Sequence, residues 1–338
     1  MSDFTKLVDL AAERLGGAVP LANDEFFAPR EALLRAAAPE WREGEYTDRG
    51  KWMDGWETRR RRTPGHDWCI VRLGLPGVIH GVLVDTAFFT GNYPEQCSID
   101  ATAVDGVADP EALAADEGAW TEILPPTALR GDAQNLFGVE SRERFTHLRF
   151  RIYPDGGVAR LRVYGQAAPD WDRLLRAGGA VDLGALENGG SVVASSNAHY
   201  GNPQNMLQPG RSTHMGDGWE TCRRRGPGHD WSIIRLGRPG VLNRVELDTD
   251  HFKGNAPGSC WLEGVHAPDA GEEELQADGV RWTPILAQTP LRAHERHAWE
   301  AEVMPHGAVT HVRISIHPDG GVARLRLLGR PDDAEPPA

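Results

Sequence analysis

Apolar and charged residues alternate with a period of two along several segments of the chain. In HLRFRI (147–152) and ARLRVY (159–164), aliphatic or aromatic residues alternate with arginines. Successive side chains of a strand point to opposite faces, so this pattern predicts β-strands with one buried face and one solvent-facing face. Segments 68–73 and 78–86 predict further strands. The Leu-Gly-x-Pro-Gly between them and the Tyr-Pro-Asp-Gly-Gly at 153–157 predict turns.

Helix signals are few. Residues 28–39 (APREALLRAAAP) have a proline near their start and another at their end, and residues 169–179 offer Asp170 as an N-cap before a glycine stop. Strands joined by glycine- and proline-containing turns are typical of an all-β protein. The predicted architecture is two tandem, antiparallel jelly-roll β-sandwiches with a few short helices.

The tandem arrangement follows from a long internal repeat. The stretch DGWETRRRRTPGHDW (54–68) returns as DGWETCRRRGPGHDW (217–231), and 20 of 25 positions are identical from Asp54 and Asp217 onward. Other matching pairs follow in the same order: 84–97 with 247–260, 149–165 with 313–329, and, more loosely, 23–33 with 197–207. A repeat of this length is a duplicated domain, not a short-period solenoid. The predicted organisation is a first repeat at 1–165, a linker with a short helix at 166–190, a second repeat at 191–330 and a disordered tail at 331–338.

Composition narrows the class of protein. The chain has 338 residues, of which 40% are hydrophobic and 25% charged, so it can bury substantial cores. Its net charge of −13 argues against a general nucleic-acid or anionic-membrane binder, because such surfaces carry excess Lys and Arg. No apolar run approaches the roughly 20 residues that a membrane-spanning helix needs, and the N-terminus lacks a secretory apolar region.

The four cysteines, Cys69, Cys97, Cys222 and Cys260, include no CxxC pair. Cys97 and Cys260 occupy equivalent places in the two repeats, so neither has a partner within its own repeat. We therefore expect no disulfide framework, which favours a reducing, cytoplasmic location. The 13 histidines form no HxH or HExxH cluster, and the chain has no Walker loop, GxGxxG or GxSxG motif.

Each polar motif of the repeat has a structural and a functional interpretation. If the arginine run 59–62 is extended, alternate arginines face opposite ways, so one pair can line a pocket while the other pairs with acids. His66 and Asp67 also face opposite ways on a strand. Asp67 is either a turn cap or part of an acid–base pair, and Trp68 is either core or ligand-facing. Asp85 and the Gly-Asn that follows it are explained either by turn chemistry or by ligand contact.

Taken together, these landmarks resemble one family. DGWETRRRRTPGHDW, LGLPG, VDTAFFTGN and YPDGGVARLRVYG, followed by a second round of all four, are similar to allantoicase (allantoate amidinohydrolase) over roughly residues 20–330. The resemblance implies galactose-binding-like jelly-roll repeats and hydrolysis of allantoate to ureidoglycolate and urea in allantoin (ureide) and purine catabolism. It also implies a small-molecule substrate and a homo-oligomer. The alternative is a non-catalytic β-sandwich that binds a carbohydrate or another small ligand.

Candidate site residues come from the doubled landmarks, because allantoate needs a carboxylate clamp, ureido-binding groups and proton transfer. The catalytic candidates are His66, Asp67, Asp85, His229, Asp230 and Asp248. The substrate-binding candidates are Glu57, Arg61, Trp68, Asn92, Arg160, Glu220, Arg224, Trp231, Asn255 and Arg324. The sequence predicts no metal ligands, although it leaves a divalent metal open as a cofactor. It also leaves open which repeat holds the site, or whether a site lies between them.

Overall fold

The chain folds into two compact units, Met1–Ala168 and Pro169–Ala338. The structure, a computed structural model, describes residues 4–104 and 106–332. Each unit corresponds to one copy of the sequence repeat.

The segments predicted as a linker and a tail have defined structure where they are described. Val181–Asp182, inside the predicted linker 166–190, is a strand of the second unit. Pro331 ends the last strand of that unit. The rest of the predicted tail, from residue 333 onward, lies outside the described residues.

The first unit is built mainly from antiparallel strands. They are β1 (Val8–Asp9), β2 (Ala18–Ala22), β3 (Tyr46–Thr47), β4 (Gly50–Lys51), β5 (Trp56–Glu57), β6 (Asp67–Asp85), β7 (Gln96–Thr102), β8 (Thr121–Ala128), β9 (Gln134–Gly138), β10 (Arg144–Tyr153), β11 (Gly157–Val158) and β12 (Arg160–Ala167). The hydrogen-bonded order is β1-β12-β6-β10-β7-β8, and β2 and β9 also pair with β6. A separate small sheet joins β5 to β11.

The second unit repeats this topology. Its strands are β13 (Val181–Asp182), β14 (Ser191–Ser195), β15 (Trp219–Glu220), β16 (Asp230–Asp248), β17 (Ser259–Val265), β18 (Thr283–Pro290), β19 (Arg296–Trp299), β20 (Val309–His317), β21 (Gly321–Val322) and β22 (Arg324–Pro331). Their order is β13-β22-β16-β20-β17-β18, with β14 and β19 also on β16 and β15 paired with β21. The predicted all-β fold of two tandem jelly-roll sandwiches is confirmed.

Helices are short, as predicted. The α-helices are α1 (Pro110–Ala115), α2 (Trp171–Ala177) and α3 (Glu272–Gln276), and 3-10 turns span Phe4–Lys6, Glu13–Leu15, Arg30–Leu34, Glu117–Ala119, Leu186–Asn188, Pro203–Leu207 and Met215–Asp217. Helix α2 is confirmed, with the Asp170 side chain capping Arg173 N–H. The helix predicted over 28–39 is wrong in extent, because Pro29 and Arg35 bound a single 3-10 segment. Within the described ranges, no helix has the length and apolar character to cross a membrane.

The Leu-Gly-x-Pro-Gly segments predicted as turns lie instead within the long strands β6 and β16. In β6, residues up to Arg72 pair with β10, and residues from Gly77 onward also pair with β12. The register shifts between these stretches, and Leu10 O accepts the N–H groups of Gly74 and Leu75. One continuous strand thus serves two sets of partners, which a local turn signal does not reveal.

The prediction of solvent-facing arginines is also wrong for two of them. Arg149 is 5% exposed because Asp100, Glu117 and the Trp120 ring cover its side chain. Arg160 is 2% exposed. The apolar alternation itself is correct, since the inward residues of β10 and β12 are fully buried. A loop that packs over a sheet can bury the charged side chains of the strands only if it also supplies groups of opposite charge to pair with them.

Candidate active site

A buried tryptophan sets the position of the polar motif in each repeat. Trp56 and Trp219 are fully buried, and each indole N–H donates a 2.8 Å hydrogen bond to a main-chain carbonyl, of Asp24 and Asn197 respectively. Each tryptophan begins a two-residue strand, β5 or β15, that is paired with β11 or β21. Successive side chains alternate between faces, so the next residue, a glutamate, faces away from this core.

That glutamate meets an asparagine from another loop. Asn92 donates its side-chain N–H to Glu57 Oε1 over 2.7 Å, and Asn255 does the same to Glu220 over 2.7 Å. Burial raises the pKa of Glu57, while the hydrogen bond from Asn92 acts in the opposite direction. The structure therefore brings together two residue types that the sequence predicted as ligand-binding.

The arginine run divides by alternation, as predicted. Arg61 pairs with Asp67, and Arg224 pairs with Asp230, each at 2.5 Å. Asp67 and Asp230 are buried and also accept hydrogen bonds from Asn23 and Ser196.

The neighbouring arginines, Arg60, Arg62, Arg223 and Arg225, are exposed. The predicted clamps Arg61 and Arg224 thus hold the loop, and the arginines beside them are free to meet solvent or ligand.

A cleft of about 410 Å³ lies over this arrangement in the second repeat. Its lining residues are His199, Tyr200, Glu220, Thr221, Cys222, Arg223, Arg225, Gly254, Asn255, Asp319 and Gly320. Eight of these eleven residues are identical at the matching positions of the first repeat: Glu57, Thr58, Arg60, Arg62, Gly91, Asn92, Asp155 and Gly156. The lining includes two guanidinium groups, two carboxylates and a carboxamide, a set that suits a small anion that also carries N–H and C=O groups.

The predicted histidines lie next to this loop, outside the lining set. The His66 ring is 5.0 Å from the Tyr153 ring, and the His229 ring is 4.6 Å from the Trp261 ring. Burial and, secondarily, nearby arginines lower the pKa of both histidines. These shifts favour the neutral form of each ring, and each packs against an aromatic side chain.

The predicted residues Arg160 and Arg324 lie at the starts of β12 and β22. Arg160 binds Asp54 at 2.6 Å and the carbonyls of Asp54 and Ala159, and Arg324 binds Asp217 at 2.9 Å and a similar set of carbonyls. Both guanidinium groups are already occupied by the protein.

Asp85 and Asp248 cap their own loops, each accepting an N–H from two residues further on at 2.8 Å. Asp248 and Arg324 also line a cavity of about 230 Å³ with Arg211, Glu246, Arg296 and Arg326. In the first repeat, Leu83 and Gln134 stand at the positions of Glu246 and Arg296. This cavity is therefore not a shared feature of the two repeats.

Trp68 and Trp231 are half-buried, and their main-chain N–H groups bind Asn23 at 2.8 Å and Ser196 at 2.9 Å. Trp231 also packs against the cluster of Ala194, Ile233 and Leu275. These contacts anchor the start of each long strand.

Sequence reasoning missed several lining residues. The exposed arginines Arg223 and Arg225 were passed over for Arg224, although the alternation argument already separated them. Asp319 belongs to a turn that looked purely structural, yet its carboxylate accepts Arg224 N–H over 2.7 Å. His199 and Tyr200 fall where the repeats match only loosely. Among residues 4–104 and 106–332, no group of three or more His, Cys, Asp or Glu side chains is arranged to hold a metal.

Comparisons with known proteins agree with the predicted resemblance. The family model described as the allantoicase repeat matches residues 8–168 and 181–332. A probable allantoicase 2 of Burkholderia pseudomallei is 49% identical over 327 residues, 96% of each chain. The allantoicase of Dictyostelium discoideum is 47% identical over 96% of this chain and 87% of its own. The crystal structure of Saccharomyces cerevisiae allantoicase has a TM-score of 0.80 and 34% identity, covering 96% of this chain and 93% of its own. With both repeats matched and relatives this similar along nearly the whole chain, the protein belongs to the allantoicase family.

Proposed function

We propose that the chain hydrolyses allantoate to ureidoglycolate and urea, and that the reaction takes place in a cleft built by the doubled motif. Membership of the allantoicase family confirms the enzyme prediction. We place the active site in this cleft because eight of the eleven residues that line it in the second repeat are identical in the first repeat. The cavity that contains Asp248 and Arg324 lacks this correspondence.

The cleft matches the substrate in charge and polarity. Allantoate is a carboxylate whose central carbon bears two ureido groups. Arg223 and Arg225 are exposed and adjacent to the cleft, so they supply the bidentate fork that binds a carboxylate. Asn255 and Glu220 offer an amide and a carboxylate to the ureido C=O and N–H groups. A volume of about 410 Å³ is within the usual range for small-molecule sites.

The reaction needs a proton acceptor for water and a proton for the leaving nitrogen. Water loses a proton to a carboxylate, and its oxygen bonds to the central carbon. The bond from that carbon to one ureido nitrogen breaks, with the electron pair going to the nitrogen. That nitrogen takes up a proton and leaves as urea. Glu220 is the proposed base, and the arginines hold the negative charge of the substrate in place.

The proposal changes several predicted roles. It keeps Glu57, Asn92, Glu220 and Asn255 as ligand-binding residues. It assigns the remaining predicted residues to holding the loops, since each is engaged with protein groups or packed against them: His66, Asp67, Asp85, His229, Asp230, Asp248, Arg61, Trp68, Arg160, Arg224, Trp231 and Arg324.

The carbohydrate-binding alternative is not favoured, because relatives with about half of their residues identical over nearly the whole chain are named as allantoicases. Cytoplasmic location and homo-oligomeric assembly remain proposals. The four free cysteines support a reducing compartment. Fractionation of the native host and light scattering of the purified protein test them.

The decisive experiment compares arginine variants. We expect Arg60, Arg62, Arg223 and Arg225, all changed to Gln together, to lower kcat/KM for allantoate by at least about a hundred-fold. Urea and ureidoglycolate are assayed as products. The control is Arg176→Gln, an exposed arginine on α2. Near-normal turnover by the folded quadruple variant would place the site elsewhere.

A further inference from the structure

The second-repeat cleft and the matching positions of the first repeat, here called the first cleft, differ at a small set of residues. Matching backbone contacts align them: Asp24 and Asn197 accept the N–H of Arg59 and Cys222, and Phe27 and Tyr200 donate to the carbonyls of Glu57 and Glu220. By this alignment, Phe26 stands where the second repeat has His199, and Phe27 and Ala28 together face Glu57 where Tyr200 faces Glu220. The loose sequence match of 23–33 with 197–207 is therefore shifted by one residue.

The rim of the first cleft carries an ion pair and stacked guanidinium groups. Arg59 binds Asp24 at 2.6 Å and lies over the Phe26 ring at 5.3 Å, and Arg49 lies over the same ring at 5.4 Å. In the second repeat, Cys222 and the neutral Asn197 replace this ion pair. The short Cys222 side chain is part of the cleft lining.

The wall of the second cleft carries proton-transfer groups that the first lacks. The His199 ring stands edge-on to Tyr200 at 4.3 Å between ring centres, and both residues line the cleft together with Glu220. Phenylalanines have no exchangeable proton on their side chains. Hydrolysis that expels urea needs a proton donor as well as a base. At the positions of His199 and Tyr200 the first repeat supplies no such donor, whereas the second supplies one beside Glu220.

We propose that turnover takes place in the cleft of the second repeat, with His199 as the proton donor to the departing urea nitrogen. This inference rests on the proposed function. Glu220 takes the proton of the attacking water as the new C–O bond forms. His199, as imidazolium, gives its proton to the nitrogen as the C–N bond breaks. Proton transfer from Glu220 to His199 through solvent then restores both groups.

A matched exchange of wall residues tests the role of His199. His199→Phe places the first-repeat residue in the second cleft, and we expect kcat to fall by about a hundred-fold with KM changed by less than about three-fold. The control Phe26→His makes the reverse change and is expected to cause no loss of kcat. Normal kcat in a folded His199→Phe protein would overturn the proposal. A loss of kcat in Phe26→His, with normal kcat in His199→Phe, would assign turnover to the first repeat.

Cys222 provides a second, activity-independent readout. Cys69, Cys97 and Cys260 are fully buried, and burial raises the pKa of Cys97 and Cys260 to about 12. Iodoacetamide is therefore expected to alkylate Cys222 first, which peptide mass spectrometry locates. Allantoate, added to the slow His199→Phe variant, should slow this alkylation at least about five-fold. If the wild-type enzyme is active but allantoate does not slow the alkylation of Cys222, the assignment of turnover to the second repeat is overturned. Turnover by the first cleft, and hence the proposed function, would still stand.

Discussion

The Arg224 guanidinium lies 2.5 Å from the Asp230 carboxylate, and the same pair, Arg61 with Asp67, recurs at 2.5 Å in the first repeat. Asp230 is only 2% exposed, and Arg224 and Ser196 both donate hydrogen bonds to its carboxylate. The arginine on either side of Arg224 points the other way and lines the cleft. The ion pair thus fixes the loop and orients the adjacent Arg223 and Arg225 side chains toward the cleft.

Replacing Arg224 should therefore lower stability, whereas replacing its neighbour Arg225 should lower activity. Arg224→Ala leaves Asp230 buried and unpaired, and we expect the free energy of unfolding to fall by about 2–3 kcal/mol. Arg225→Ala removes an exposed group, so unfolding should change by less than about 0.5 kcal/mol while kcat/KM falls. Urea denaturation and steady-state kinetics on both variants separate the two effects. Equal destabilisation by the two variants would contradict the inference that Arg224 holds the loop while Arg225 faces the ligand.

Gly320 permits the turn that supports Asn255. Its φ is +137°, and a Cβ placed on it would lie 2.5 Å from the Asn255 carbonyl oxygen. Gly320→Ala should strain this contact, displace Asn255 from Glu220, and lower kcat/KM at least about ten-fold.

The matched control is Gly226→Thr, because a Cβ on Gly226 meets no atom within 4 Å and the first repeat has Thr63 there. A fully active Gly320→Ala enzyme would show that this turn does not position the site.

His311 should make the second repeat sensitive to acid. Burial and, less strongly, Arg235 lower the pKa of His311 from 6.5 to about 4. The unfolded chain binds this proton near pH 6.5 and the folded chain only near pH 4, so stability is lost as pH falls through that window. The loss is on the order of 2–3 kcal/mol. Urea denaturation between pH 7.5 and about 4.5 measures it, and His311→Asn should flatten the slope.

Asp182 should act with the opposite sign. Burial raises its pKa from 3.8 to about 6, against the opposing hydrogen bond from Leu327 N–H and the charge of Arg326. The folded chain then holds this proton more tightly, so the stability contribution is complete below pH 3.8 and is lost as pH rises through 6. Asp182→Asn keeps an oxygen for Leu327 and Gly184 N–H, and should stabilise the protein at pH 8 by about 1 kcal/mol. A destabilised variant at that pH would show that the Arg326 ion pair outweighs the burial cost.

The sequence alone determined the architecture and the family. Period-two alternation located β10 and β12, and the repeat at a spacing of 163 established two copies of one domain. Asp170 marked the start of α2. These features are local or repeated in the chain, so they can be read without knowing which segments meet.

The pairing of distant segments was decided only in the tertiary structure. Asn255 reaches Glu220 across 35 residues, and Arg324 reaches Asp217 across 107, because the fold brings a loop and a 3-10 turn against strands that are distant in the chain. The same packing buried Arg160, which the alternation had assigned to solvent. The sequence showed that charged and amide side chains cluster in the doubled motif. Which of them bind each other, and which are left to face a ligand, depends on desolvation and on the partner that each finds in the fold.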